Sequence, residues 1–250
     1  GVYTLNFPGG DTLVVNVEPG YSYQVTDYNY RNIAGTNLNL ADDSFATISL
    51  PFPVQFGYAP RNTLYVGDNG LVSFDAGITA FQHRPGDLSD ELKNQPQPAP
   101  IGESIAAPFW DDLYPAPGNV FYEVTGSAPN RELVIEWRNM GGYWCYSDEA
   151  ARFQVVFSEA TSDVLFNYAD VYFSDLCDDY DVGSYNYGSS ATVGIQLHRE
   201  LATQYSFNSP SLSNGLALLW RMSGDNPVPT ISALSPDKAP AGGGEFKLDV

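Results

Sequence analysis

Apolar residues recur at every second position in short runs bounded by Gly, Pro, Asn or Asp, and this period of two constrains the fold more than any other feature. Ile48, Leu50, Phe52, Val54 and Phe56 alternate with Ser49, Pro51, Pro53 and Gln55. A strand sends successive side chains to opposite faces, so this run has one apolar face, and its two prolines, which lack an N–H, suit an edge or a bulge. Leu133, Ile135 and Trp137 repeat the pattern, as do Phe153, Val155 and Phe157. Further strands are expected at Val120 to Val124, Val164 to Tyr168, Val193 to Leu197 and Leu216 to Trp220. Thr63 to Val66 and Leu71 to Phe74 flank Gly67-Asp68-Asn69-Gly70, a hairpin whose Asn69-Gly70 pair supplies positive φ angles. Tyr3 to Phe7 and Leu13 to Val17, around Pro8-Gly9-Gly10-Asp11, form another. Strands at this spacing predict an all-β chain, an antiparallel β-sandwich of jelly-roll-like type with long loops and a C-terminal extension.

Seventeen Tyr and fourteen Phe in 250 residues supply the material for a packed core. Residues 76–105, with Pro85, Pro96, Pro98 and Pro100, read as a long excursion with one helical turn. Asp225-Asn226-Pro227-Val228-Pro229 reads as a linker, which divides the chain into a sandwich module at 1–226 and a segment at 227–250 ending in the strand Glu245 to Val250. The formal charge of −19 repels phosphate backbones and anionic lipid, so nucleic acid is excluded as a partner and cationic surfaces are favoured. No apolar run is long enough to insert into a membrane, and the start at Gly1 lacks a signal-peptide pattern, as expected of a mature or excised fragment. Cys145 and Cys177 lie in polar surroundings with neither a CxxC nor a metal-ligand spacing, which favours a disulfide between them in an oxidising compartment.

Two stretches carry a resemblance. Pro229-Thr230-Ile231, Leu234-Ser235-Pro236 and Ala241-Gly242-Gly243 resemble the opening of bacterial immunoglobulin-like domains of the IPT/TIG type. Leu50-Pro51-Phe52-Pro53-Val54-Gln55-Phe56, Leu64 to Phe74, Ala107-Pro108-Phe109-Trp110-Asp111-Asp112-Leu113 and Ala191 to Gln196 with Gln204-Tyr205-Ser206 are similar to a β-rich module of secreted bacterial multidomain proteins, and more distantly to the nidogen-type extracellular domain. The resemblance implies an extracellular or cell-surface accessory role and brings no catalytic residues with it.

Chemistry-bearing patterns are sparse. The two histidines, His83 and His198, have no GxSxG or comparable nucleophile motif beside them and read as surface residues; HExxH, P-loop and GxGxxG patterns are absent. No catalytic residue is assigned. A glycoside hydrolase needs only two carboxylates, for which Glu123 and Glu136 are the best placed, although Glu136 beside Arg138 fits a solvent-facing, cation-paired strand residue better. Calcium is the candidate cofactor: Asp175, Asp178, Asp179 and Asp181 form the densest group of hard oxygens, with Asp111-Asp112 and Asp42-Asp43 as further pairs. Tyr143, Trp144, Tyr146 and Tyr180 are candidate ligand-binding residues, because aromatic faces stack on sugar rings.

These features predict a non-enzymatic structural or adhesive module. Its partners are other extracellular modules, a glycan, or a further copy of the chain joined by strand donation from Glu245 to Val250 into a surface polymer. A carbohydrate-binding accessory module is the first alternative and a glycoside hydrolase the second.

Overall fold

The computed structural model describes residues 2–6, 12–16, 19–79, 104–143, 145, 150–174, 178–179, 183–198 and 201–222. In chain order the strands are β1 (Val2–Asn6), β2 (Thr12–Asn16), β3 (Tyr21–Val25), β4 (Thr36–Asn37), β5 (Phe45–Phe56), β6 (Ala59–Gly67), β7 (Val72–Ser73), β8 (Ile105–Trp110) and β9 (Leu113–Thr125). They continue with β10 (Glu132–Gly142), β11 (Ala151–Ser158), β12 (Val164–Asp170), β13 (Asp178–Asp179), β14 (Gly183–Ser184), β15 (Thr192–His198), β16 (Leu201–Phe207) and β17 (Ala217–Met222). A short 3-10 turn at Asn186–Gly188 interrupts the pattern.

Two antiparallel sheets pack face to face. One has the order β3-β17-β12-β11-β10-β9-β4 and the other β16-β15-β8-β7-β6-β5, while β1-β2 and β13-β14 are separate hairpins. Chain neighbours are mostly sheet neighbours: β9 to β12 run as one meander and β5 to β8 as the other. This is the sandwich expected from the strand periodicity, and the inward residues are those that the alternation selects. Leu133, Ile135 and Trp137 face Phe153, Val155 and Phe157 across the β10-β11 ladder, and all six are buried. Trp137 stacks on Phe153 at 5.1 Å, and Phe56 on Phe74 at 4.1 Å. Such ring pairs add to the area term that drives core formation.

The prolines of β5 do what their missing N–H groups require. β5 is an edge strand, and its register against β6 breaks between Ser49 and Val54, so that Leu50-Pro51-Phe52-Pro53 bulges out of the ladder. Phe52 still turns inward and is buried, with the Arg131 guanidinium 4.6 Å above its ring.

The outer face of the seven-stranded sheet departs from expectation. Glu136, Gln154 and Asn167 form a row in register across β10, β11 and β12, and all three are fully buried. Residues 26–35 run across them as a strap. Gln154 and Asn167 each clasp the strap backbone with both ends of the amide: Arg31 N–H donates to Gln154 Oε1 (2.8 Å) and Gln154 Nε2 donates to Arg31 O (3.1 Å). Asn167 does the same with Asn29, at 3.4 and 3.2 Å. A polar row can be buried because every amide finds a partner.

Candidate functional site

The residues that close one end of the sandwich are three short connections, and sequence alone does not bring them together. The turn from β6 to β7, residues 67–71, is wholly buried, which is unusual for a hairpin tip. Trp137 Nε1 donates to Gly67 O (3.0 Å), and Phe109 N–H donates to Gly70 O (3.2 Å), so core and β8 both grip it. Gly70 has φ +73, while Asn69 is not among the positive-φ residues; the turn needs one such residue, not the two expected. Asn69 instead acts as a cross-brace, accepting from Leu113 N–H at 2.8 Å and donating to Asp43 Oδ1 at 3.0 Å.

Asp68 in the same turn is fully buried and accepts from the Asp43 and Ser44 N–H groups at 3.0 and 2.9 Å. Asp111, also buried, accepts from Ser190 Oγ (2.6 Å) and from Asp112 N–H (2.9 Å). Around these anchors the carboxylates of Asp42, Asp43 and Asp112 come together, each offering an oxygen within 4.8 Å of the others. Asp42 Oδ1 is buried without a hydrogen-bond partner. The six described arginines, Arg31, Arg61, Arg131, Arg138, Arg152 and Arg221, are paired with Glu132, Asp75, Glu159, Glu136, Glu136 and Asp163. The acidic end is thus held by backbone N–H groups and amide or hydroxyl side chains, with no described arginine in it.

Proton affinity rises accordingly. Burial pushes Asp68 up to about 7, against the hydrogen bonds from Ser44 and Asp43 and with the charges of Asp43 and Asp42 adding to the rise. Burial likewise pushes Asp111 up to about 7. Asp112 goes to about 6, through burial first and then the charges of Asp43 and Asp42. The folded chain therefore retains protons that unfolded carboxylates, with a reference value of 3.8, have released. Stability from these groups is complete below the unfolded pKa and is lost as pH rises through the folded values. In EDTA, the thermal midpoint is expected to fall between pH 5 and pH 8. A midpoint that climbs over that interval contradicts the assignment.

Hard carboxylate oxygens converging on an orphaned one are a donor set that fits calcium, which takes oxygen ligands at roughly 2.3–2.6 Å. Of the aspartates expected from sequence, the backbone of Asp178 and Asp179 falls in β13, while Asp175 and Asp181 lie outside the described residues, and so do Trp144, Tyr146, Tyr180, Cys177 and His83. Asp42 and Asp43 are brought together with Asp112, while Asp111 turns to Ser190. Tyr143 is 40% exposed and meets Tyr114, 43% exposed, edge to face at 6.1 Å. Its N–H donates to Asp112 O (2.9 Å), which fixes this aromatic pair beside the carboxylates. Tyr114, ahead of the strand expected at Val120 to Val124, carried no sequence signal, and Asn69 carried none beyond the turn.

Glu123 and Glu136 lie on one face, opposite Val134 and Phe121 in the β9-β10 ladder, yet they do not frame a cleft. Glu136 is not solvent-facing as expected. The strap buries it completely, and its oxygens accept from Tyr30 Oη (2.9 Å), Arg152 Nε (2.6 Å) and Arg138 (2.6 Å). Glu123 accepts from the Gly35 N–H at 2.8 Å. Both carboxylates serve to attach the strap.

Fold and site together define a β-sandwich module whose polar resources go into holding loops. The family model described as NIDO related matches residues 20–219, and the chain belongs to that family. Alpha-tectorin of Homo sapiens and alpha-tectorin of Mus musculus are each 33% identical to it over 85 residues, 34% of this chain. That stretch spans 3% of either relative's length. No solved structure matches the chain.

Proposed function

We propose that this chain is a non-enzymatic structural or adhesive module of an extracellular protein, and that its acidic end takes up calcium at Asp42, Asp43 and Asp112. The observation that carries the calcium reading is the convergence of these carboxylates within 4.8 Å in a region to which no described arginine is committed. The NIDO-related family and the alpha-tectorin similarity support an extracellular setting. The bacterial surface context and the IPT/TIG segment rest on the sequence motifs alone.

The Cys145–Cys177 disulfide belongs to the same proposal. Among the described residues no cysteine is free, and Cys145 Sγ lies 3.9 Å from the carbonyl of Phe173, four positions before Cys177. That cross-link would brace the loop that carries Tyr143 beside the carboxylates.

Calcium is expected to raise the thermal midpoint of the chain at pH 7.5, by the equivalent of about 2.7 kcal/mol at a hundredfold excess over Kd. An Asp43→Asn/Asp112→Asn chain should melt higher than the parent in EDTA and gain nothing from calcium. An unresponsive parent, or an equal response in the variant, rules the site out. The exposed Tyr114–Tyr143 pair favours a second reading, a glycan platform at the same end. It predicts glycan-array binding that Tyr143→Ala abolishes. Polymerisation by strand donation from residues 245–250 is a further proposal; that segment lies outside the described residues.

A further inference from the structure

The two lateral sides of the sandwich are closed differently. On one side β3 and β16 meet: Tyr23 and Tyr205 pack edge to face at 5.2 Å, and Thr203 Oγ1 donates to Tyr21 O (2.5 Å). On the other side the edge strand β4 is two residues long and covers Phe121 and Tyr122 of β9. At Gly35, with φ +72, the chain turns out of the ladder and onto the outer face as the strap. Leu38 N–H donates to Val120 O (2.9 Å), so by alternation the backbone groups of Tyr122 and Val124 face the same outer side. Tyr122 has Thr36 opposite it, but beside Val124 no described strand continues the ladder.

What lies there is an open groove of about 510 Å³ between the edges of the two sheets, lined by Gly35, Thr36, Ser49, Pro51, Glu123 and Val124 among others. This is within the range of roughly 300–1,000 Å³ seen for ligand sites. Its two walls differ in chemistry. The β5 wall presents Ser49 and Pro51, both exposed, and Pro51 cannot donate to a pairing strand. The β9 wall presents the outward backbone of Val124 and the Glu123 carboxylate, whose Oε2 is taken by Gly35 N–H while Oε1 has no hydrogen-bond partner among the described residues.

The geometry points to a docking groove for an extended segment of a partner protein, pairing with the Val124 edge of β9 and placing an arginine or lysine against Glu123. Backbone pairing gives such additions their affinity, and side-chain contacts choose the sequence. A basic side chain is selected by charge: the chain carries −19 overall, and the groove's one lining carboxylate has, among the described residues, no arginine partner such as Glu132, Glu136 and Glu159 have.

The test uses the full chain and two phage-displayed heptapeptide libraries, one with arginine fixed at the centre and one with glutamate. The arginine library should yield binders and the glutamate library none. The best binder, made as a synthetic peptide, should lose roughly tenfold or more in affinity on Glu123→Gln, since a charge-assisted bond becomes a neutral one. It should also lose binding when its backbone is N-methylated at alternate positions. Ser49→Trp fills the groove from an exposed position and leaves the charge of Glu123 unchanged, and it should block binding while leaving the thermal midpoint in place. Equal yields from both libraries, or a binder indifferent to Ser49→Trp and to N-methylation, would mean adsorption to the acidic surface and overturn the proposal. So would concentration-dependent self-association of the parent chain that Ser49→Trp removes, because the occupant would then be a second copy.

Discussion

Replacing Glu136 by alanine is expected to lower the unfolding free energy by about 3 kcal/mol, the lower end of the range for removing one member of a buried ion pair. The side chain is fully buried and pairs with both Arg138 and Arg152 while accepting from Tyr30. Its removal strands the Tyr30 hydroxyl beneath the strap and leaves two positive charges facing each other. The arginine side chains are 23% and 38% exposed and can recover some water, which is why the loss falls short of the upper end. Urea denaturation measures the difference. The variant should also show faster amide exchange through residues 29–33, because Tyr30 and the contact from Arg138 to Ile33 O (2.9 Å) hold that stretch. A loss below about 1 kcal/mol, the usual worth of an exposed pair, would mean that the strap is held by its amide clasps alone.

Gly70→Ala is expected to be more damaging still, costing more than about 4 kcal/mol or preventing folding. A β-carbon at this position would stand 1.7 Å from the carbonyl oxygen of Phe109 and 2.6 Å from its carbon, both main-chain atoms that cannot swing aside. The positive φ adds a separate cost of roughly 1 kcal/mol. Gly215 isolates that second term, since it has φ +80 with nothing within 4 Å of an added β-carbon. Gly215→Ala should therefore cost roughly 1 kcal/mol, and the difference between the two variants measures the backbone contact. If both cost the same, the turn is not gripped by β8 as described. Because residues 67–71 position Asp68 and Asn69, failure at Gly70 would dismantle the acidic end with it.

The strands legible in the sequence are those whose larger apolar residues recur at alternate positions, even where both faces end up buried, as in β10 and β11. Leu133, Ile135 and Trp137 are separated by Val134 and Glu136, so alternation points three of them inward whatever covers the other side. β8 carries no such alternation: Ile105-Ala106-Ala107-Pro108-Phe109-Trp110 is apolar at every position, so nothing in the run separates one face from the other. Glu136 was misjudged because exposure depends on what lies above a residue. A strap rich in Asn, Tyr and Arg looks like an ordinary polar loop until its backbone is seen to be clasped by Gln154 and Asn167. The acidic pairs were visible as Asp42-Asp43 and Asp111-Asp112, but the meeting of Asp112 with Asp42 and Asp43 joins connections separated by about seventy residues of chain. No local pattern records such a distance.

Taken by itself, the sequence determined that this chain makes antiparallel sheets with an aromatic core, that β5 sits at an edge, and that its surface favours cations. These follow from periodicity, from the missing N–H of proline and from net charge, which are local or additive properties. The tertiary structure decided which polar residues are buried, which carboxylates converge, and which stretch of β9 is left without a neighbour. These are products of packing: the same Asp or Glu is a hydrated surface group, a loop anchor or part of a cation site according to what the fold places within a few ångströms of it.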